Sequence, residues 1–330
     1  MKPILPLLLS MILLFSACTA APSGEGSSQA SESSLLSSES ASSQVDTAIG
    51  ITDSQGASIT LTTREPRVVS LYGSYAQAWL LAGGTLCGVT EDAVNERDLG
   101  LPQDVTVVGS VKEPNVEEVI ALEPDLVILS SDIANQVDLK DTLENAGLTC
   151  AYYRVDTFED YAFLMEQFCA VTGRDDLYQE NVTQVGQQID QVKEAAAAQE
   201  SQPNVLLMRA FSTGIKAKTD DELAGVILKE LGTHNIADDH PSMLEDLSLE
   251  EVISADPDYI FVTTMGDEQK ALDYLDSLIQ ENPAWSQLSA VKEGRYMVLP
   301  KDLFHYKPNN LWGESYEYLA EILYPEQFGE

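Results

Sequence analysis

Two pairs of acids stand where the same charged contact could be made twice. Glu117 and Glu118 open the stretch VEEVIALEPDLVIL (116–129), and Glu250 and Glu251 open LEEVISADPDYIFV (249–262). Glu118 and Glu251 have a local role. They fall three places after Asn115 and Ser248, the spacing of a capping box in which the first residue caps a helix and the acid reaches back. Glu117 and Glu250 sit one place earlier, where a cap does not need them and the side chain projects outward. Singly, each reads as compensation of the helix dipole, worth about 0.3 to 1 kcal/mol. Together they form two matching negative knobs on a pseudo-twofold object. Such a pair suits charge-assisted bonds to arginines on a symmetric basic partner.

The elements that must carry these acids recur in one order. ITDSQGASITL predicts a hairpin, and RVVSL a buried strand. Next come a helix (YAQAWLLAGG), strands at LCGVT and VTVVG, a helix at NVEEVIALE, a strand at DLVILSS, a further helix and the strand CAYYRV. Alternating strands and helices predict an α/β fold with a mostly parallel sheet covered on both faces. RDDLYQENVTQVGQQIDQVKEAAAAQE has no Pro and one Gly over some seven turns, which predicts a long connecting helix. Afterwards the pattern restarts: strand NVLLMRAFS, helix ELAGVILKELG, the helix and strand of LEEVISADPDYIFV, strand GRYMVLP and a last helix. The expected architecture is two Rossmann-like lobes, residues 48–172 and 202–330, joined by a helix over 173–201, with a cleft between the lobes.

In open parallel sheets a ligand lies beyond the carboxyl ends of the strands. That rule selects Tyr72, Ser74 and Tyr75, Ser130 and Ser131, Arg209 and Phe211, Thr264 and Met265, and the loop carrying Lys301, Phe304, His305 and Tyr306. Arg209 follows four apolar residues, so it either faces the cleft to attract an anion or is neutralised by one of many acids. His305 either ligates a chelated metal, with Met265 as a candidate second axial ligand, or serves hydrogen bonding and packing. Tyr72, Tyr75 and Tyr306 could stack on a flat ligand or belong to the core. Three histidines in all, His234, His240 and His305, are too few for capture of bare zinc or manganese, so no protein-held metal is expected.

A formal net charge of -36, from 18 Lys and Arg against 54 Asp and Glu, repels nucleic acid and anionic lipid alike. The start, MKPILPLLLSMILLFSAC, reads as an export signal too short to span a bilayer. Its tetrad Phe15-Ser16-Ala17-Cys18 resembles a bacterial lipobox, with lipid on Cys18; ordinary cleavage near Ala20 or Ala21 is the alternative. Residues 19–47 are Ser-rich and without aromatics, the composition of a flexible tether. Cys87, Cys150 and Cys169 lie in apolar runs and read as buried thiols, a Cys150 to Cys169 bridge being the other option. No Gly-x-Ser-x-Gly elbow, phosphate loop or His-Glu-x-x-His site supports an enzyme.

From about Thr52 to Tyr324 the chain resembles the substrate-binding proteins of bacterial ABC importers for ferric siderophores, haem and cobalamin. The resemblance is carried by GSVKEPNVEEVIALEPDLVIL, the connecting helix, LEEVISADPDYIFV and NPAWSQLSAVKEGRYMVLP. In that family a glutamate seven residues before the Pro of each motif docks onto arginine pockets of the permease dimer, which here implies Glu117 and Glu250, ahead of Pro124 and Pro257. The resemblance implies a monomeric, non-enzymatic carrier, lipid-anchored to the outer face of the cell membrane. It would hold no permanent cofactor and would deliver a metal chelate, a ferric siderophore ahead of haem or cobalamin, to a permease with a cytoplasmic ATPase. An exported enzyme or a surface adhesion module would suit a tether equally, but gives no reason for the matched glutamates.

Overall fold

The computed structural model describes residues 48–245 and 247–329; Cys18, the export signal and the Ser-rich tether lie outside the described residues. The first elements form an antiparallel hairpin, β1 (Ile49–Thr52) and β2 (Ser58–Leu61). Ile49, Ile51, Ile59 and Leu61 point inward and their neighbours outward, the period-two pattern of a half-buried strand.

Five parallel strands follow: β3 (Val68–Ser70), β4 (Gly88–Val89), β5 (Thr106–Val107), β6 (Leu126–Ser130) and β7 (Cys150–Tyr153), in the order β5-β4-β3-β6-β7. The chain leaves β3 in one direction through β4 and β5, then returns to β6 on the other side. The β3/β6 boundary is therefore the switch point, where a crevice opens beyond the strand ends.

A helical run from Asp175 to Ala197 comes next, with a π turn at Gln179–Thr183 inside it. At that turn the buried Asn181 side chain donates to the carbonyls of Leu81 and Leu177, at 3.2 and 3.1 Å, so a side chain inserts into the helical ladder. The second sheet is β8 (Asn204–Phe211), β9 (Gly214–Lys218), β10 (His234–Asn235), β11 (Tyr259–Thr264) and β12 (Tyr296–Val298). Its path is β10-β8-β11-β12, parallel throughout, with the switch point between β8 and β11.

One strand departs from the expected pattern. β9 lies antiparallel on β8, taking the edge that the two-residue β10 leaves free. Ile215 and Ala217 face inward between Lys216 and Lys218. The alternation is visible in GIKAK, but five residues directly after a longer strand are easily read as loop.

A single core links the two sheets. Tyr153, Trp79 and Phe168 from the first lobe, Val185 and Ile189 from the connecting helix, and Leu207, Phe261, Trp312 and Tyr316 from the second belong to one buried apolar cluster. The Gln184–Ala197 and Trp312–Leu323 helices approach closely at Gly313, where a Cβ would fall 2.0 Å from Gln188 Oε1. The lobes are thus joined through packed side chains, which interiors resist deforming. Among the described residues no helix is long and apolar enough to cross a membrane.

The three described cysteines are free thiols. Cys150 lies in the cluster on one face of the first sheet and Cys169 in the cluster on the other, so the bridge between them is ruled out by the pleat of β7. Burial pushes the Cys150 thiol up to about 12 and Cys169 to about 11.

Candidate functional site

The repeated motif builds the same corner in each lobe. Asn115 and Ser248 cap their helices, accepting from the backbone of Glu118 and Glu251 at 3.3 Å. The return half of the expected capping box is missing from both. Asn115 N donates instead to Val108 O at 2.7 Å, and the Glu251 carboxylate accepts from Ser242 Oγ at 3.1 Å. The residue before each proline, Glu123 or Asp256, adopts a left-handed conformation with φ of 45° or 43°. The aspartate after each proline then pins the next strand to the first strand of its sheet. Asp125 accepts from Arg67 N at 2.7 Å and Asp258 from Asn204 N at 2.9 Å. Glu117 and Glu250 take no part in these corners: both are exposed, and neither has a hydrogen-bond or ion-pair partner among the described residues.

Beyond the carboxyl ends of the strands the two lobes meet in a cluster of cations. His305 sits in the field of Arg209, Lys301, Arg97 and Lys307; burial first, then those four charges, lower its pKa to about 4. The imidazole is therefore neutral at physiological pH, and its buried Nδ1 has no partner among the described residues. Its ring lies 5.0 Å from that of Tyr306, whose hydroxyl burial pushes up to about 12. Arg97 contributes from the first lobe, with its guanidinium 5.1 Å over the Tyr306 ring.

Each cation of the cluster is held differently. Arg209 pairs with the buried Glu222 at 2.6 Å, and Lys218 approaches the same carboxylate at 3.3 Å. Lys301 donates to Gly266 O at 3.2 Å and lies 3.6 Å from Glu268. Lys307 reaches across to Asp156 at 3.2 Å, and Asp156 also bonds Arg154. Arg97 donates to Ser74 Oγ at 2.8 Å, to Lys307 O at 2.7 Å and to Gln77 Oε1. Among the described residues it has no carboxylate within ion-pair distance.

Most of the residues expected at the cleft either converge there or are buried, and one turns elsewhere. Arg209, Lys301, His305 and Tyr306 converge there, with Tyr72 half-buried at the end of β3 and Met265 exposed at the end of β11. Ser74, Tyr75 and Thr264 are buried. Tyr75 in particular is a core residue, its hydroxyl donating to Tyr153 O at 3.0 Å, while Ser74 reaches the cleft only through Arg97. Phe211 borders a separate hollow of about 420 Å³ with Ile215, Leu247, Tyr274 and Leu278. Phe304 is core. The position after a strand names a neighbourhood; which way each side chain turns is decided by packing.

Arg97, Lys307, Glu222 and Asp156 were not legible as site residues. Arg97 lies in NERDLG between two acids, a pattern that reads as a solvated loop, and it follows β4, not a switch-point strand. The site is marked by converging charge more than by volume. A larger hollow of about 490 Å³, lined by Arg67, Leu86, Cys87, Leu101 and Leu122, lies where β3 and β4 begin, at the opposite edge of the first sheet. Among the described residues no three His, Cys, Asp or Glu side chains converge to hold a bare metal ion.

Comparison with known proteins bears on this geometry. The family model described as periplasmic binding protein matches residues 68–303. The Fe(3+)-citrate-binding protein YfmC of Bacillus subtilis is 27% identical over 311 residues, covering 91% of this chain and 89% of that protein. Among solved structures, the TroA-like periplasmic binding protein FepB from Veillonella parvula superposes with a TM-score of 0.69 at 20% identity, over 85% of this chain and 91% of that one. Staphylococcus aureus IsdE complexed with heme gives 0.66 at 20% identity, over 79% and 99%.

Proposed function

The chain belongs to the periplasmic binding protein family, and from that premise we propose that it is the extracytoplasmic solute-binding component of an ABC importer for an iron complex. The ligand is an anionic metal chelate, a ferric siderophore or ferric hydroxycarboxylate, held between the lobes. The observation that carries this reading is the convergence of Arg97, Arg209, Lys301 and Lys307 around neutral His305, at the strand ends of both lobes, in a chain of net charge -36. Positive charge is scarce in this protein, and gathering it at one crevice focuses the field there. Tyr72, Tyr306 and Met265 supply apolar and aromatic surface for the body of the chelate. The relative that binds Fe(3+)-citrate, similar over nine-tenths of this chain, supports the same ligand class.

Delivery runs through Glu117 and Glu250. Each is exposed at the start of a helix that the repeated corner fixes to its sheet, so the two carboxylates are presented on equivalent features of the two lobes. A two-fold permease offering one basic pocket to each would receive both. The shared core through the connecting helix suits a carrier that closes little on its ligand. The anchor is lipid on Cys18, which leaves the described residues free to reach the permease.

Haem is the second reading, favoured by the likeness to the heme-complexed structure and by the exposed Met265 near the His305 loop. Against it stands the cleft's polarity, charged side chains from both lobes surrounding His305. Titration of the purified full-length chain with ferric citrate, ferric tris-catecholate, ferric trihydroxamate, haem and cobalamin, followed by Trp79, Trp285 and Trp312 fluorescence and native mass spectrometry, tests the proposal. Saturable binding of one anionic ferric complex is expected. Binding of haem alone would replace the ligand assignment, and binding of none would overturn the reading.

A further inference from the structure

The cations of the cleft are unequal, and the inequality names the residue that reads ligand charge. Arg209, Lys301 and Lys307 each have a carboxylate nearby, at 2.6, 3.6 and 3.2 Å. Arg154, at the first lobe's side of the cleft, lies against Asp132 and Asp156. Arg97 alone among these five is bonded only to neutral acceptors: the Ser74 hydroxyl, the Gln77 amide oxygen and the Lys307 carbonyl. The two acids whose charges act on it, Asp92 and Asp302, form no ion pair with it. Asp92 is already committed, accepting from Gly73 N and Thr90 Oγ1 at 2.6 Å each.

A guanidinium has five N–H donors, and three of those on Arg97 are engaged. Tyr306 covers one face of the group at 5.1 Å. The side chain is half-buried, so solvent compensates its charge only in part, and burial lowers its pKa. A charge that is partly desolvated and unpaired is costly unless something else supplies the counter-charge.

We propose that Arg97 is the specificity-determining residue of the cleft, and that the ligand's anionic oxygen, carboxylate or catecholate, is the counter-ion the chain itself does not provide. This rests on the carrier reading above. It sharpens that reading by assigning discrimination between anionic and uncharged ferric complexes to one side chain of the first lobe. Arg209, whose charge also acts on His305, contributes less because it is already paired with Glu222 at 2.6 Å.

The geometry also gives Arg97 a second role that the experiment must separate. By bonding Lys307 O it ties the loop after Phe304 to the first lobe, beside Asn309 Nδ2, which donates to Ser74 O at 2.9 Å and to Gln77 Oε1 at 2.8 Å. A merely structural Arg97 would affect every ligand alike.

Affinities of the full-length chain for ferric citrate, a ferric tris-catecholate and an uncharged ferric trihydroxamate distinguish these roles, measured in the wild type, R97Q, R97K, Q77A and the double variant R209Q/E222Q. The wild type is expected to prefer an anionic complex by at least about a hundredfold, citrate and catecholate separating the two sources of anionic oxygen. R97Q should lose about that factor for the anionic complex and nothing for the uncharged one. R97K should keep the preference within about tenfold, and its salt dependence of binding, while R209Q/E222Q should change affinity by less than about tenfold. Q77A, which loosens the loop without removing charge, should leave the preference intact. The assignment fails if R97Q retains the preference, if it weakens anionic and uncharged complexes equally, or if the wild type favours the uncharged one. If the wild type binds no ferric complex at all, the carrier reading falls first and takes the assignment with it. Thermal unfolding of each variant guards against a folding defect, and R97K preserves the test if R97Q unfolds.

Discussion

The two lobes were assembled from one plan and have diverged where the ligand sits. Their shared part is the corner: a capped helix, a left-handed residue, a proline, and an aspartate that pins the next strand, at residues 115–125 and again at 248–258. Their unshared part is charge. The second lobe buries Glu222 against Arg209 and Lys218, whereas the first leaves Arg97 among neutral acceptors. The sheets differ as well, the second carrying an antiparallel strand, β9, that the wholly parallel first sheet lacks. Repetition is kept at the corners that present Glu117 and Glu250, and lost around Arg97 and Arg209, as the proposed docking and binding roles require.

The largest expected effect would break the symmetry claim outright. Reversing both knobs, E117R with E250R, should abolish uptake of the bound chelate in cells while leaving its affinity within about twofold. Each single reversal should impair uptake to a similar, intermediate degree. Transport unchanged by the double reversal, with normal expression, would remove the docking role.

The cleft's electrostatics predict a pH dependence of stability. The folded protein holds His305 at about 4, and an unfolded chain titrates near 6.5. The unfolded state therefore takes up the proton first. Stability contributed by this site is full above about pH 6.5 and falls as the pH drops toward 4, by roughly 2 to 3 kcal/mol. Denaturant midpoints between pH 7 and 4 should show this fall, and H305Q should flatten it. An unaltered profile in H305Q would place the acid sensitivity elsewhere.

The shared corner offers smaller and sharper tests. D125A and D258A each remove a solvent-exposed bond to a backbone N–H and should each cost about 0.5 to 1.5 kcal/mol, the matching values being the point. Glu123 and Asp256 share a left-handed backbone but not its support. Asp256 accepts from Ser289 N and Oγ at 2.8 and 2.7 Å, while Glu123 has no side-chain hydrogen bond among the described residues. E123G should therefore raise stability by about 0.5 to 1 kcal/mol, and D256G should be neutral or destabilising. Equal outcomes for the two glycines would deny the difference between the corners.

Much of this was readable from residue types alone. The repeat, the order of strands and helices, and the exposure of Glu117 and Glu250 follow from periodicity and capping, which act over a few residues and are written locally. The parallel sheets and their switch points follow from alternating strands and helices. β9 was missed because five residues beside a longer strand carry little periodic signal, and the full capping box was expected where Asn115 and Glu251 found nearer partners.

The sequence by itself determined the two-lobed plan, the scarcity of positive charge and the doubled acids, because composition and local pattern carry that information. Only the tertiary structure decided which candidates meet. Tyr75 turned into the core, Phe211 toward another hollow, and Arg97, hidden between Glu96 and Asp98 in a loop, came to rest 210 residues away in sequence from the carbonyl it bonds. Side-chain direction and long-range pairing are set by how whole elements pack, and the unpaired charge of Arg97 exists only once the fold has committed Asp92 to Gly73 and Thr90 and left Asp302 out of reach.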